Sequence, residues 1–267
     1  MYVTSKDGTK IYYKKAGTGP AIVLVDGALC WTEAGVTPGL LPVLSEQFTV
    51  YAYDRRGRGK SGDTKPYTVE REYEDLAAMM AVAGDAYVCG FSSGGALALY
   101  ATAEGFIKPK VLISYEAPFT VVDATDKKLP IDAVAVLDEM IAKNQRKAAV
   151  KYFLKDLIGM PGFMVSMMFL VMRKGMKMSQ SVAHTLPNDI RIMDQATFGT
   201  PIAVARKVTV PTLVLHGAKT APKLKKASEA LAKAIPGAQV VAVPQSSHMV
   251  KPAMLTPLLV ERLLYSK

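Results

Sequence analysis

Ser92 and Ser93 lie side by side in the stretch YVCGFSSGGALALY, residues 87–100, with Gly90 before them and Gly94 and Gly95 after. Gly90–Phe91–Ser92–Ser93–Gly94 fits the pattern G-x-S-x-G with Ser92 at its centre. Ser93 cannot take that place, because position 91 would have to be Gly and is Phe. The apolar run before Ser92 reads as a strand, and SGGALALYATA after it reads as a helix. A strand that turns sharply into a helix pushes the serine Oγ out at the carboxyl edge of a sheet. The helix start behind it offers free N–H groups and partial positive charge, so Ser93 is a candidate oxyanion donor through its backbone N–H.

A nucleophilic serine needs a base. The chain has only His184, His216 and His248. His184 sits in a helical region, and His216 ends the apolar run TLVLH, where packing is its expected role. His248 follows the last strand-like run on the short loop PQSSH, just before a final helix. A loop there can carry an imidazole over the end of the sheet, so His248 is the expected base. None of the three histidines has H-x-H or H-x-x-x-H spacing, so no metal site is expected.

These residues need a frame to hold them. MYVTS and KIYYKKA flank the turn residues Lys6–Asp7–Gly8 and predict a hairpin. Six further apolar runs follow, at 21–27, 48–54, 86–92, 110–116, 211–217 and 238–244. Continuous β-branched runs between helices indicate strands covered on both faces, hence a mostly parallel sheet in an α/β fold. Helical periodicity covers 68–83, 93–104, 222–235 and 252–265. The rhythm breaks over 121–200, which reads as a helical insert, a candidate lid, between core segments 1–120 and 201–267. Nine of the fourteen methionines lie in that insert. Methionine fills irregular apolar space, so a lid over an apolar substrate pocket is one expectation and plain packing the other.

The chain resembles the α/β-hydrolase family over almost its whole length: VLVDGAL, YDRRGRGKSGD, the serine turn, PTLVLHG and SSHMVKP all match the family's pattern. The resemblance implies an oxyanion pair made of the Ala28 and Ser93 N–H groups, Ala28 following Asp26–Gly27 where relatives often carry His-Gly. A carboxylate aimed at an oxyanion is repulsive, so Asp26 is expected to turn away and bond nearby backbone. The family's acid usually follows the VLHG strand, but Thr220 stands there, and residues 206–228 hold no carboxylate. Glu116, at the end of the strand after the serine, is the leading substitute. Asp189 or Asp194 of the insert, or no acid at all, remain open. The expected activity is hydrolysis of a small or medium apolar ester, thioester or lactone through a Ser92 acyl-enzyme. Lyase chemistry, carbon–carbon cleavage, cofactor-free oxygenation, acyl transfer, or ligand binding with a vestigial triad are the rivals.

Bulk properties exclude other classes. GRGKSG, residues 57–62, satisfies G-x-G-x-x-G, yet Asp63, Thr64 and Pro66 continue a loop where a nucleotide site needs a helix. Asp54, Arg55 and Arg56 are expected to pair locally. The formal net charge is +10, with ten Lys/Arg against two Asp/Glu over 201–267, but no aromatics interleave with those lysines. No nucleic acid, membrane or cofactor is expected as a partner, only a small-molecule substrate, with the oligomeric state (monomer or homodimer) open. The most membrane-like run, 157–172, contains Pro161 and Gly162 and is shorter than the roughly 20 residues of a span, so it is read as a buried lid helix. Cys30 and Cys89 are expected as free, buried thiols in a cytoplasmic protein.

Overall fold

The computed structural model describes residues 1–119, 132–193 and 201–265. The hairpin forms as β1 (Tyr2–Thr4) and β2 (Lys10–Ala16), pairing Tyr2 with Tyr12. The six apolar runs become β3 (Ala21–Val25), β4 (Thr49–Tyr53), β5 (Ala86–Phe91), β6 (Leu112–Tyr115), β7 (Thr212–Gly217) and β8 (Gln239–Val243). They make one eight-stranded sheet in the order β1-β2-β4-β3-β5-β6-β7-β8. β1, β2 and β4 pair antiparallel, and every other pairing is parallel. Successive residues serve opposite faces. Val23, Val25 and Val88 join one buried cluster, while Ile22, Leu24 and Cys89 join the other. That is why the runs of β3 to β7 are apolar without alternation; β8, at the sheet edge, departs from the expectation of cover on both faces, since only its Val243 is buried.

The helices are α1 (Thr37–Leu44), α2 (Val69–Ala83), α3 (Ser93–Ala103), α4 (Ala133–Ala142), α5 (Arg146–Tyr152), α6 (Gly162–Val171), α7 (Arg173–Ser181), α8 (Leu186–Met193), α9 (Pro201–Ala205), α10 (Pro222–Ala234) and α11 (Pro252–Val260). The four helical patterns read in the sequence correspond to α2, α3, α10 and α11. α1 is an addition. Its Pro38 and Pro42 hide it from periodicity, but burial of Leu40 and Leu44 in the second cluster outweighs the proline at mid-helix. α3 carries only small residues and Leu, Tyr and Thr, and it is buried from Ser93 to Thr102.

α4 to α8 lie between β6 and β7, and α4, α5 and α8 share a separate apolar cluster built on Leu137, Val150, Phe153, Leu186 and Ile190, against which Phe169 of α6 packs. The expected insert boundaries at 121 and 200 fall outside the described residues. One expectation fails within this insert. The run 157–172 is not a buried helix: α6 buries only Val165 and touches chiefly α7 and the turn Phe153–Leu157. Both cysteines are free, but Cys30 is partly exposed where burial was expected. No helix among the described residues is long and apolar enough to cross a membrane.

Candidate active site

Ser92 stands between β5 and α3 with φ 53° and ψ −125°, a left-handed backbone that L residues rarely adopt. Such strain costs about 1–3 kcal/mol and persists only where its surroundings enforce it. They do so here. The Ser92 N–H donates to the Tyr115 carbonyl at 2.9 Å, binding the turn to the end of β6. A Cβ on Gly94 would collide with the Val25 carbonyl, so only glycine lets α3 start this close to β3. The loop after β3 lies against the serine, since a Cβ on Gly27 would sit 3.0 Å from that of Ser92. Ala28 follows Gly27 in that loop. Neither the Ala28 nor the Ser93 N–H has a backbone acceptor among the described residues, which leaves both free for a ligand.

Glu116 meets His248. Its Oε2 accepts from His248 Nδ1 at 2.8 Å, and its Oε1 accepts from the Gly217 N–H at 2.7 Å. Glu116 is fully buried, also at positive φ, and its own N–H donates to Leu215 at 2.9 Å, so the β6–β7 ladder aims its carboxyl across to the end of β7. Burial pushes this carboxyl up, but the bonds from His248 and Gly217 win and hold it below the usual range. The buried Thr220 hydroxyl adds to this, although its geometry falls short of a proper hydrogen bond. The His248 loop is clamped in turn. Tyr115 donates its hydroxyl to the Ser247 carbonyl, and the Lys219 N–H reaches Ser246 at 2.8 Å. Gly217 has no Cβ because one would lie 2.5 Å from the Ser246 carbonyl oxygen. Since a carboxylate can only accept, Nδ1 of His248 carries the proton and Nε2 is left as a base. Ser92 and His248 make no hydrogen bond with each other, a contact that in free enzymes is often long and tightens with substrate.

A buried charge network braces the serine turn from behind, and sequence reasoning missed it. Arg55 Nη1 reaches Asp189 at 2.8 Å, and its Nε and Nη2 grip both oxygens of Glu72 at 2.6 and 2.9 Å. Arg58 Nη2 takes the other Asp189 oxygen at 2.7 Å, and its Nη1 donates to the Gly27 carbonyl at 2.6 Å. The Ser93 hydroxyl donates to Asp189 at 2.7 Å. Asp189 therefore ties α8 of the insert to both loops that carry the candidate oxyanion donors. Burial alone would raise its pKa, but Arg58 and Arg55 hold it below the ordinary range. With both oxygens so occupied, Asp189 is not the acid for His248, and Asp194 lies outside the described residues. The expected local pairing of 54–56 is also corrected. Arg56 pairs with Asp75 at 2.7 Å and with Asp7 at 3.0 Å, while Asp54 accepts backbone N–H groups from Thr32 and Lys60. The missed signal was in α8: Leu186, Asp189, Ile190 and Met193 share one face, so a charge sits at a core position.

A sequence profile of the alpha/beta hydrolase family matches residues 17–261. The chain belongs to the alpha/beta hydrolase family. The crystal structure of an alpha/beta hydrolase from Sphaerobacter thermophilus superposes with a TM-score of 0.89 at 39% identity, covering 98% of this chain and 100% of that one. A non-heme haloperoxidase of Rhodococcus erythropolis is 27% identical over 81% of this chain and 80% of its own length. A bifunctional esterase/perhydrolase of Acinetobacter calcoaceticus is 28% identical over the same shares, 81% and 80%. The protein is thus an enzyme of the hydrolase type.

Three other polar residues that this hydrolase's sequence singles out have partners elsewhere. His216 is buried, with Nδ1 3.0 Å from its neighbouring carbonyl on Gly217. His184 faces Arg146 at 3.3 Å, and burial pushes its pKa down. Asp26 does turn to a local partner, but a side chain and not the backbone: Thr37 donates to its Oδ2 at 2.6 Å. Oδ1 is buried without a partner, and burial pushes the carboxyl up to about 7. A folded-state pKa above the unfolded value means that the folded form holds the extra proton. Stability then falls as pH rises from about 4 to about 7, by at most about 1.4 kcal/mol per pH unit. Asp26→Asn mimics the neutral form. Its Tm advantage over wild type is expected to be absent near pH 4 and to grow up to pH 7–8, with the pH–rate profile unchanged. A Tm difference independent of pH would contradict this assignment.

Proposed function

We propose that this hydrolase is a serine hydrolase in which Ser92 attacks an acyl carbon, His248 takes the serine proton and Glu116 orients and balances the resulting imidazolium. The Ala28 and Ser93 N–H groups hold the oxyanion, His248 returns its proton to the leaving group, and water then releases the acyl group from Ser92. The observation that carries this reading is the 2.8 Å contact between Nδ1 of His248 and a fully buried Glu116. A carboxylate would be desolvated there only at a cost, which the imidazole and the Gly217 N–H offset. The helices between β6 and β7 act as the lid in this scheme, and a small or medium apolar ester, thioester or lactone is the substrate class. The work is done inside the cell, consistent with two free thiols.

The test is a fluorophosphonate probe together with p-nitrophenyl esters of increasing acyl length. One probe adduct on the peptide containing Ser92 is expected, with turnover that the probe abolishes in step with labelling. No adduct and no turnover, with a ligand that still raises Tm, would replace this reading by ligand binding. The relative named esterase/perhydrolase favours one variation, release of the acyl group to an acceptor other than water. Turnover of the same ester in the presence of hydrogen peroxide, with peracid measured, separates the two acceptors.

A further inference from the structure

α6 is apolar on nearly every side, yet it is exposed. Phe163 is 69% accessible, Met167 56%, Leu170 64% and Val171 72%, and Met172 just after the helix 53%. A helix that is apolar all round is ordinarily covered, by protein or by lipid. A cluster of large apolar side chains left open to water marks an interaction site.

The rim of this helix says what covers it. Residues 143–177 hold eight Lys or Arg and a single acidic residue, Asp156. Several of these cations touch α6 itself. Lys147 and Lys151 place their ammonium groups 5.6 and 5.5 Å from the Phe169 ring centre. The Lys155 stem lies against Gly162 at the start of the helix. Arg173 donates to the Leu170 carbonyl at 3.2 Å at its end, followed by exposed Lys174 and Lys177. Exposed apolar side chains with Lys and Arg at both ends of the helix match a lipid surface with anionic headgroups. The apolar groups enter the acyl boundary while the cations stay at phosphate level. A second copy of this chain suits the patch less well, because a two-fold contact would bring two such cationic rims together. The helix has 10 residues, about 15 Å, far short of a span.

We propose that α6 docks this hydrolase reversibly on an anionic phospholipid surface, lying in the interface without crossing it. This departs from the expectation of no membrane partner, which rested on the shortness of 157–172, on its reading as a buried lid helix and on a solvated basic face near the C-terminus.

Co-sedimentation with phosphatidylcholine vesicles, with and without about one-third phosphatidylglycerol, tests it. Wild type is expected to bind the anionic vesicles at least ~10-fold more strongly, less so as salt is raised. Two variants keep the fold, because the changed side chains are exposed. Arg173→Glu with Lys174→Glu should weaken anionic binding at least ~10-fold, at about fivefold per cation. Met167→Ser with Leu170→Ser should weaken it comparably by removing the apolar anchor. Unchanged Tm shows that each variant is folded. Equal binding to both vesicle types overturns the proposal, as does binding untouched by either variant. A lipid-free dimer abolished by Met167→Ser with Leu170→Ser, seen by sedimentation equilibrium, would assign the face to a second copy.

Discussion

Glu116→Gln is expected to lower kcat on a p-nitrophenyl ester by about 10⁴ with little change in KM. The reason is orientation. The Gly217 N–H lies 2.7 Å from Oε1 and needs an acceptor, so the amide oxygen of Gln takes that place. The amide NH₂ must then face Nδ1 of His248, at the position now 2.8 Å away. An NH₂ can only donate, so Nδ1 becomes the acceptor and the proton moves to Nε2. Such a histidine cannot receive the Ser92 proton. Labelling by the fluorophosphonate should slow in parallel, while Tm changes little because the shape is kept. A residual kcat within tenfold of wild type would remove Glu116 from the site. Thr220→Asp on that background is expected to recover part of the activity, because Thr220 stands where the family usually carries its acid and lies beside Glu116. The carboxylate form of Glu116 itself resists acid. Its neighbours hold the Glu116 carboxyl below the ordinary range, so its contribution is intact at neutral pH and is lost only as pH falls through that lowered value.

Asp189→Ala is expected to cost about 3–5 kcal/mol of stability, the range for removing one partner of a buried ion pair. For a chain of this size that lowers Tm by roughly 6–20 °C. Arg55 keeps Glu72, but Arg58 loses the only carboxylate it pairs with among the described residues while fully buried. Asp189→Asn should fall between, since it retains an acceptor for Arg58 without the charge. The difference between Asp189→Ala and wild type is expected to narrow as pH falls below about 4. The lowered Asp189 pKa contributes stability above the unfolded value and loses it as the folded group protonates. Activity should fall as well, because Asp189 holds the Ser93 hydroxyl and, through Arg58, the Gly27 carbonyl. Thermal melts at neutral and acid pH decide the first point. A Tm loss under about 3 °C would show that the guanidinium groups find water or other partners.

β3 to β7 were legible because strands covered on both faces must be apolar throughout, and their Val, Ile and Leu runs say so directly, while β8 is apolar at an open edge. The serine turn was legible for a similar reason. Gly90 makes room for the Gly94 and Gly95 backbone just after it, a local steric requirement written in consecutive residues, although Gly94 makes room for distant β3. His248 could be placed by elimination among three histidines and by its loop. The partnership of Glu116 with His248 was only one of several open choices. It joins residues 132 apart, and the ladder between β6 and β7 decides it, not any spacing in the chain. Residues 55, 58, 72, 93 and 189 illustrate the same limit. Each looks like an ordinary surface charge or hydroxyl until folding encloses it with its partners, because the cost of burying a charge is cancelled only by groups brought from elsewhere. Composition misled the reading of 157–172, since apolarity states that a segment avoids water without stating what covers it. Only the packing of α6 shows that the described residues leave most of that helix uncovered. Local patterning thus determined the strands, the turn and the nucleophile candidate, while charge partners and exposed faces depend on distant segments meeting and were decided by the tertiary structure alone.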